Sequence, residues 1–186
     1  MMGGGMNFKR AVSWILLTGI VFLLSGCSPS YVITQNLEES FPTSSICSVG
    51  YILDELPGDF PEDKKPTQED IEKFKGFIKE ALVKEELFDM IDENKALNDY
   101  EVDGRLLDYK KGSGFLRFMF GAWAGGAKVT ISMKLVDKHY GTEVFAGNFT
   151  GQVTSGYEAG IEMFKRVAKD FARALKKELV KLEKNK

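Results

Sequence analysis

The segment that most constrains the fold is a strict alternation between apolar and polar side chains late in the chain. Its apolar members are Val129, Ile131, Met133 and Leu135, and lysine, threonine and serine occupy the positions between them. Successive side chains of a β-strand point to opposite faces. The alternation therefore predicts a strand with one face buried and the other face in solvent.

Two further strands are predicted around this one. Residues 137–141 are rich in turn formers, and the segment from Val144 to Thr154 that follows them has strand character, with Phe145 and Phe149 on one face. Residues 100–109 form another β-rich run earlier in the chain. Because neighbouring strands with short connections pair antiparallel, these segments predict a meander.

A strand, a helix and a strand are predicted before the meander. Residues 46–53 combine β-branched and aromatic residues, and residues 88–91 form a second short apolar run. Between them Thr67 is a candidate N-cap for a helix with acidic residues in its first turn. Its apolar stripe consists of Ile71, Phe74, Ile78, Ala81 and Leu82. This order predicts a βαβ unit with two parallel strands.

A second, longer helix is predicted after Gly156. Apolar residues recur at helical spacing from Ile161 to Leu182, and the end of this helix is rich in lysine. Glu178 and Glu183 interrupt the lysines, so we expect a solvated helix end rather than a basic binding site. Together the elements predict an α+β domain over residues 46–186, with a mixed sheet of about five strands and two amphipathic helices on one face.

The amino-terminal region has the layout of a secretory signal peptide. Lys9 and Arg10 supply positive charge, and residues 11–24 form an apolar stretch. Leu24-Ser25-Gly26-Cys27 follows, and it resembles the lipobox of bacterial lipoproteins. The resemblance implies that residues 1–26 are removed by cleavage between Gly26 and Cys27, and that Cys27 carries a diacylglycerol that anchors the protein to a membrane.

Two other interpretations of this region stay open. A retained transmembrane helix needs about 20 apolar residues, and the run that ends at Cys27 is shorter and diluted by small polar residues. A secreted, unanchored protein would need a cleavage site of the A-x-A type. In enterobacterial lipoproteins, an aspartate directly after the lipidated cysteine retains the protein in the inner membrane. Ser28 occupies that position in this chain. We therefore expect the periplasmic face of the outer membrane, with the inner membrane as the alternative.

The residues after the cleavage site predict a tether. Residues 27–45 hold the lipidated cysteine and a stretch rich in serine, threonine, proline and asparagine, which is typical of a flexible linker. The remaining 23 basic and 27 acidic residues give a mature charge of −4. A mildly acidic protein lacks the electrostatic signature of nucleic-acid binding. With Cys27 lipidated, Cys47 has no partner for an internal disulfide, and we expect it to be buried and inert.

The second half of the chain resembles a lipoprotein family of Gram-negative bacteria that is catalogued as a domain of unknown function. The residues that carry the resemblance are Gly112-Ser113-Gly114, Arg117, Gly121, Gly125-Gly126-Ala127, the alternating strand, Asp137 and Gly141-Thr142. The resemblance implies a fold similar to the amino-terminal domain of the translocation protein TolB. It brings no catalytic residues.

The chain shows few signatures of an enzyme. His139 is the single histidine and lies in a predicted turn, so we expect it to be solvated. No cofactor motif and no metal-ligand spacing is present, and we expect neither group. We therefore expect a non-enzymatic component that binds an envelope protein or lipid. The alternative is a periplasmic hydrolase or sugar-acting enzyme that uses paired carboxylates.

Residues 115–124 form one unusually apolar segment between glycines. We expect part of it to serve as a surface for a partner or a second copy of the chain, since strand geometry cannot turn all its apolar side chains inward. The candidate contact residues are Phe115, Arg117, Phe118, Phe120 and Trp123. Burial of the whole segment in the core is the alternative.

Overall fold

The computed structural model of the chain describes residues 31–37, 45–52, 65–88, 90–91, 99–110, 112, 119, 126–153 and 159–184. The elements, in chain order, are β1 (Tyr31–Gln35), β2 (Ile46–Ile52), α1 (Gln68–Lys84), β3 (Met90–Ile91), β4 (Tyr100–Lys110), β5 (Ala127–Asp137), β6 (Thr142–Val153) and α2 (Ala159–Lys184). The described strands form one sheet in the order β1-β6-β5-β4-β2-β3. The sheet is mixed, because β2 pairs parallel with β3 and β4 while β4, β5, β6 and β1 pair antiparallel. The predicted α+β class is confirmed.

The predicted β-α-β order is present at the parallel side of the sheet. Cys47 of β2 is level with Ile91 of β3, and α1 connects the two strands. A capping box starts α1: the Thr67 hydroxyl accepts a hydrogen bond from the Asp70 amide at 3.2 Å, and the Asp70 carboxylate accepts one from the Thr67 amide at 2.9 Å. The side chains of Phe74, Ile78 and Leu82 are buried along one side of this helix. The β2–α1–β3 unit therefore follows from local signals, namely the two strand-forming segments and the N-cap of the helix between them.

The alternating segment forms β5, and its burial follows the alternation. Val129, Ile131, Met133 and Leu135 have no exposed surface, whereas the polar residues between them are partly exposed. β5 lies in the middle of the meander, between β4 and β6. One face of the sheet is therefore apolar and covered, and the opposite face is polar.

Helix α2 covers the apolar face over β5 and β6. The Phe171 ring lies between two rings of β6, with centroids 5.8 Å from Phe145 and 5.5 Å from Phe149. Phe164 of the same helix packs on Phe74 of α1 at 5.2 Å. These contacts join both helices and the meander into one core. Within the described residues, neither helix combines the length and apolarity that crossing a membrane requires.

The first strand corrects the predicted tether. Residues 31–35 lie in the stretch expected to be flexible, yet they form β1, which pairs antiparallel with β6. The Tyr31 ring stacks on Phe149 at 5.4 Å, and this contact explains why the strand docks. Among the described residues, the sheet consequently has six strands, where about five were expected.

Two glycine substitutions test the packing of α2 on the sheet. A Cβ atom at Gly151 of β6 would lie 1.9 Å from the Met163 carbonyl oxygen of α2, whereas a Cβ atom at Gly76 of α1 would have no neighbour within 4 Å. We expect Gly151→Ala to lower the free energy of unfolding by about 2 kcal/mol or more, because the helix must move away.

Gly76→Ala is the matched control and should raise the free energy of unfolding by about 0.5–1 kcal/mol, since alanine favours an exposed helix position. Urea unfolding followed by circular dichroism measures both values. A Gly151→Ala variant as stable as the wild type would contradict the close packing of α2 on β6.

Candidate functional site

The turn between β5 and β6 is the centre of a group of charged residues that we call the turn cluster: Asp99, Glu101, Asp137, Lys138 and His139. The Asp137 carboxylate accepts hydrogen bonds from the backbone amides of His139 at 2.8 Å and Tyr140 at 3.1 Å. Gly141 closes the turn with a φ of 66°, a left-handed conformation that favours glycine. The Asp and Gly of the D-x-x-x-G pattern therefore shape this turn.

The next two residues of the turn attach it to the start of β4. Lys138 Nζ lies 2.5 Å from Glu101 Oε2, and His139 Nε2 lies 3.1 Å from Asp99 Oδ1. The other oxygen of Asp99 accepts a hydrogen bond from the Ile46 amide at 2.9 Å. The turn cluster thus connects the β5–β6 turn with the first residues of both β4 and β2.

Glu101 in β4 and Asp99 just before β4 have different surroundings. Glu101 is only 6% exposed, and Gly50 of β2 leaves the space that its side chain occupies, because a Cβ there would lie 2.0 Å from Glu101 Oε1. Asp99 lies at the surface. The hydrogen bond from the Ile46 amide, and then the one from His139, lowers the pKa of Asp99 below its ordinary value of 3.8.

Cys47 lies beside the turn cluster and is fully buried. Burial, and then the negative charge of Glu101, raises the pKa of the Cys47 thiol far above its ordinary value. The thiol therefore stays protonated at neutral pH and lacks the thiolate that nucleophilic attack requires. The predicted burial of this cysteine is confirmed.

These contacts define what the turn cluster can do chemically. His139 is exposed, as expected for a turn residue, but it has an aspartate partner that the sequence did not indicate. The same aspartate, Asp99, also accepts a hydrogen bond from the Ile46 amide, so it links three segments of the chain. Among the described residues, no group of three histidine, cysteine or acidic side chains is placed to hold a metal ion.

The polar face of the sheet, opposite the helices, is a second candidate surface, which we call the open face. Its centre carries short uncharged side chains: Thr130 and Thr150 hydrogen bond to each other at 3.0 Å, and Ser132 lies level with Asn148. Exposed ion pairs frame it, with Lys128 to Asp108 at 2.9 Å and Lys134 to Glu143 at 3.7 Å.

The structure does not test the site residues that the sequence predicted. The residues in question are Gly26, Cys27, Phe115, Arg117, Phe118, Phe120 and Trp123, and all of them lie outside the described residues. Met119 is the one described position inside that apolar segment, and its side chain is 56% exposed. The predicted lipidation site and partner surface therefore stay predictions.

Asp99 is the residue that sequence reasoning missed. It is separated from His139 by 40 positions, and no motif connects the two. The pairing of β4 with β5 brings them together, because Tyr100 is level with Asp137 in this register. A signal was available in principle: an antiparallel pairing of the two predicted strands in that register places the residue before β4 beside the turn after β5.

One family model matches this chain. It is described as a domain of unknown function, DUF4410, and it matches residues 53–160, from the segment after β2 to the start of α2. No curated protein matches the chain.

Three solved structures have a similar fold. A point variant of the PelC dodecamer from Paraburkholderia phytofirmans has a TM-score of 0.51 at 13% identity, covering 78% of this chain and 95% of that chain. A second crystal form of the PelC dodecamer gives 0.50 at 14%, covering 76% and 96%. A protein from Xanthomonas campestris, assigned to DUF330, gives 0.46 at 11%, covering 81% and 94%. At these identities, the likeness to the two PelC structures establishes the fold alone.

Replacement of Asp99 by asparagine tests the turn cluster. The folded pKa of Asp99 lies below its unfolded value, so its contribution to stability is present above the unfolded pKa and is lost as pH falls through the folded pKa. We expect Asp99→Asn to lower the free energy of unfolding at neutral pH by roughly 0.5–1 kcal/mol. The effect is small because the Asp99–His139 pair is partly exposed. The variant should also lose less stability than the wild type below about pH 4.

Chemical denaturation across pH 2.5–7, a range set by the ordinary titration of aspartate, measures both effects. Asp108→Asn is the control, because it removes an exposed partner of Lys128 at the other end of β4. An acid dependence of Asp99→Asn identical to that of the wild type would refute the assigned role of the carboxylate.

Proposed function

We propose that this chain, which belongs to the DUF4410 family, is a lipid-anchored component of the bacterial cell envelope that binds or assembles with other envelope molecules. In this proposal the protein is not an enzyme. The family is described as a domain of unknown function, so the proposal rests on the chain's own residues.

The observation that carries the proposal is the short distance between the candidate anchor and the folded sheet. Tyr31 is the first residue of β1, and it follows Cys27 by four positions. Four residues span about 14 Å at most when fully extended. A lipid on Cys27 would therefore hold the domain directly at the membrane surface, where its partners would be other membrane or envelope molecules.

The anchor has a specific location in this proposal. Ser28 follows the lipidated cysteine, which favours the outer membrane and a domain that faces the periplasm. The two acyl groups of a diacylglycerol, with a further chain on the amine, give stable anchoring, whereas a single chain gives only reversible binding. The inner membrane, again with the domain in the periplasm, is the alternative.

Assembly of several copies is part of the proposal. PelC, which has a similar fold, is described as a dodecamer. The sheet of this chain ends in β1 on one side and in the two-residue β3 on the other, and edge strands offer backbone groups for pairing with another chain. Phe115, Arg117, Phe118, Phe120 and Trp123 are the proposed contacts with a second copy, an envelope protein or a lipid.

The alternative function, a hydrolase with paired carboxylates, would place its acids in the turn cluster. Asp99 and Glu101 are two positions apart: Asp99 directly precedes β4, and Glu101 is the second residue of β4. A general acid of such enzymes requires a raised pKa, whereas the pKa of Asp99 is lowered and Glu101 forms an ion pair with Lys138. This chemistry favours a binding role.

Loss of the acceptor sulfur tests the anchor. We expect Cys27→Ala to accumulate as an unprocessed precursor without lipid, since no thioether can form. Metabolic labelling with a radioactive fatty acid measures the lipid, and Cys47→Ala is the matched control that should be labelled like the wild type. Undiminished label on Cys27→Ala would refute the lipoprotein proposal. The location is tested separately: wild-type protein that fractionates with inner membranes on a density gradient would refute the proposed outer-membrane location.

Two substitutions in the apolar segment test the partner surface. We expect Trp123→Ala and Phe120→Ser, made separately, to lose crosslinks in native envelopes while their melting temperatures stay close to that of the wild type. Val83→Ser is the control, because Val83 is a 62% exposed apolar side chain on α1, and it should change neither measurement. A large loss of stability in both test variants would indicate that the segment is buried in the core and would contradict the proposed partner surface.

A further inference from the structure

Helix α2 exposes a continuous row of basic side chains, which we call the basic stripe. Its exposed members are Lys165, Arg166, Lys169, Arg173, Lys177, Lys181 and Lys184, and Lys176 is partly exposed between them. At 100° per residue these positions cover the side of the helix opposite Phe164, Phe171 and Leu175, which are buried. The basic stripe therefore faces away from the core along the length of the helix.

Basic side chains outnumber acidic ones on the exposed side of α2. Glu178 was expected to interrupt the lysines, but its side chain is only 11% exposed and lies 2.5 Å from Lys181. It belongs to the buried side of the helix. The exposed acids Glu162 and Glu183 lie near the two ends of α2, and the partly exposed Asp170 lies in its middle, where basic residues surround it. A basic surface on a chain with an overall charge of −2 indicates an anionic partner.

Internal ion pairs at the basic stripe differ in length: Lys181 lies 2.5 Å from Glu178, whereas two other pairs are long. Arg173 lies 3.8 Å from Glu85 and Lys165 lies 4.0 Å from Glu162, both at the long limit of an ion pair. Exposed pairs of this kind contribute little to stability. These charges therefore remain available to bind an external anion.

The strand register places the basic stripe on the side of the candidate anchor. Tyr31 is level with Phe149, and β1 runs antiparallel to β6, so β1 begins near the end of β6. At that end Arg166 donates a hydrogen bond to the Gln152 carbonyl at 2.9 Å. Because at most about 14 Å of chain separates Tyr31 from Cys27, the membrane and the first turns of the basic stripe are close neighbours.

We infer that the basic stripe of α2 binds the phosphodiester headgroups of anionic phospholipids in the leaflet that holds the Cys27 lipid. The inference deepens the proposed function and depends on its lipid anchor. Lysine and arginine side chains near an anionic membrane each strengthen attraction, and the effect falls off within a Debye length. The anchor holds the first turns of α2 near the bilayer, and the basic stripe then orients the domain with the open face directed away from the bilayer.

Fluorescence quenching of the full-length lipidated protein in vesicles tests this orientation. A dye is attached through Glu162→Cys on α2 or, as the matched site, through Ser132→Cys on the open face; Cys47 is buried and does not compete for the dye. The vesicles contain a phosphatidylcholine with a headgroup nitroxide quencher, with or without phosphatidylglycerol. We expect quenching at position 162 to be several-fold stronger with phosphatidylglycerol and to be lost at 1 M salt, where the Debye length is about 3 Å.

Charge variants separate the basic stripe from net charge. Lys169→Gln with Lys177→Gln should lower quenching at position 162 by at least about fivefold, since each basic residue near the surface contributes a factor of about five. Lys128→Gln with Lys134→Gln removes the same charge from the open face and should leave the quenching unchanged.

The outcomes distinguish this inference from the proposed function. An unquenched dye at position 162 on a lipidated protein would overturn the inference alone, as would stronger quenching at position 132. Crosslinks from α2 to an acidic envelope protein, with no quenching, would assign the basic stripe to a protein partner and would also overturn it. A preparation without fatty acid would refute the anchor itself, and with it the geometric premise of the inference.

Discussion

The packing of Phe171 against Phe145 and Phe149 is the contact on which the rest of the structure depends. It holds α2 across β6, and the missing side chain at Gly151 lets the backbone of the helix approach the sheet. The same cluster extends to Tyr31, which stacks on Phe149 and brings β1 into the sheet. One group of aromatic rings therefore connects the long helix, the meander and the strand that follows the candidate anchor.

Both described helices lie on one face of the sheet, and the opposite face carries the partly exposed polar side chains of β5. A sheet covered on one side needs one apolar row per strand, and β5 supplies it without exception. Two surfaces therefore remain for partners, the open face and the outer side of α2, and they differ in charge. Because these surfaces lie on opposite sides of the domain, a partner bound at one of them leaves the other accessible.

Hydrogen bonds and ion pairs hold the end of the sheet at which the meander turns. The D-x-x-x-G turn resembled a family motif, and in the structure Asp137 and Gly141 shape the turn while Lys138 and His139 reach the start of β4. Asp99 then connects that point to β2 through the Ile46 amide. The motif thus has a structural explanation that requires no substrate. The expected likeness to the TolB amino-terminal domain stays a prediction.

The sequence by itself determined the elements whose signals are local. The alternation of β5, the N-cap of α1 and the strand–helix–strand order were all predicted correctly, because side-chain direction and capping depend on residues a few positions apart. The signal-peptide layout before Cys27 is equally local and stays a prediction. Only the tertiary structure decided the rest: β1 is a strand because Tyr31 finds Phe149, and Asp99 reaches His139 because β4 pairs with β5 in one register. Glu178 belongs to the buried side because of how α2 rotates on the sheet. Each of these depends on residues far apart in the chain, whose proximity no local pattern specifies.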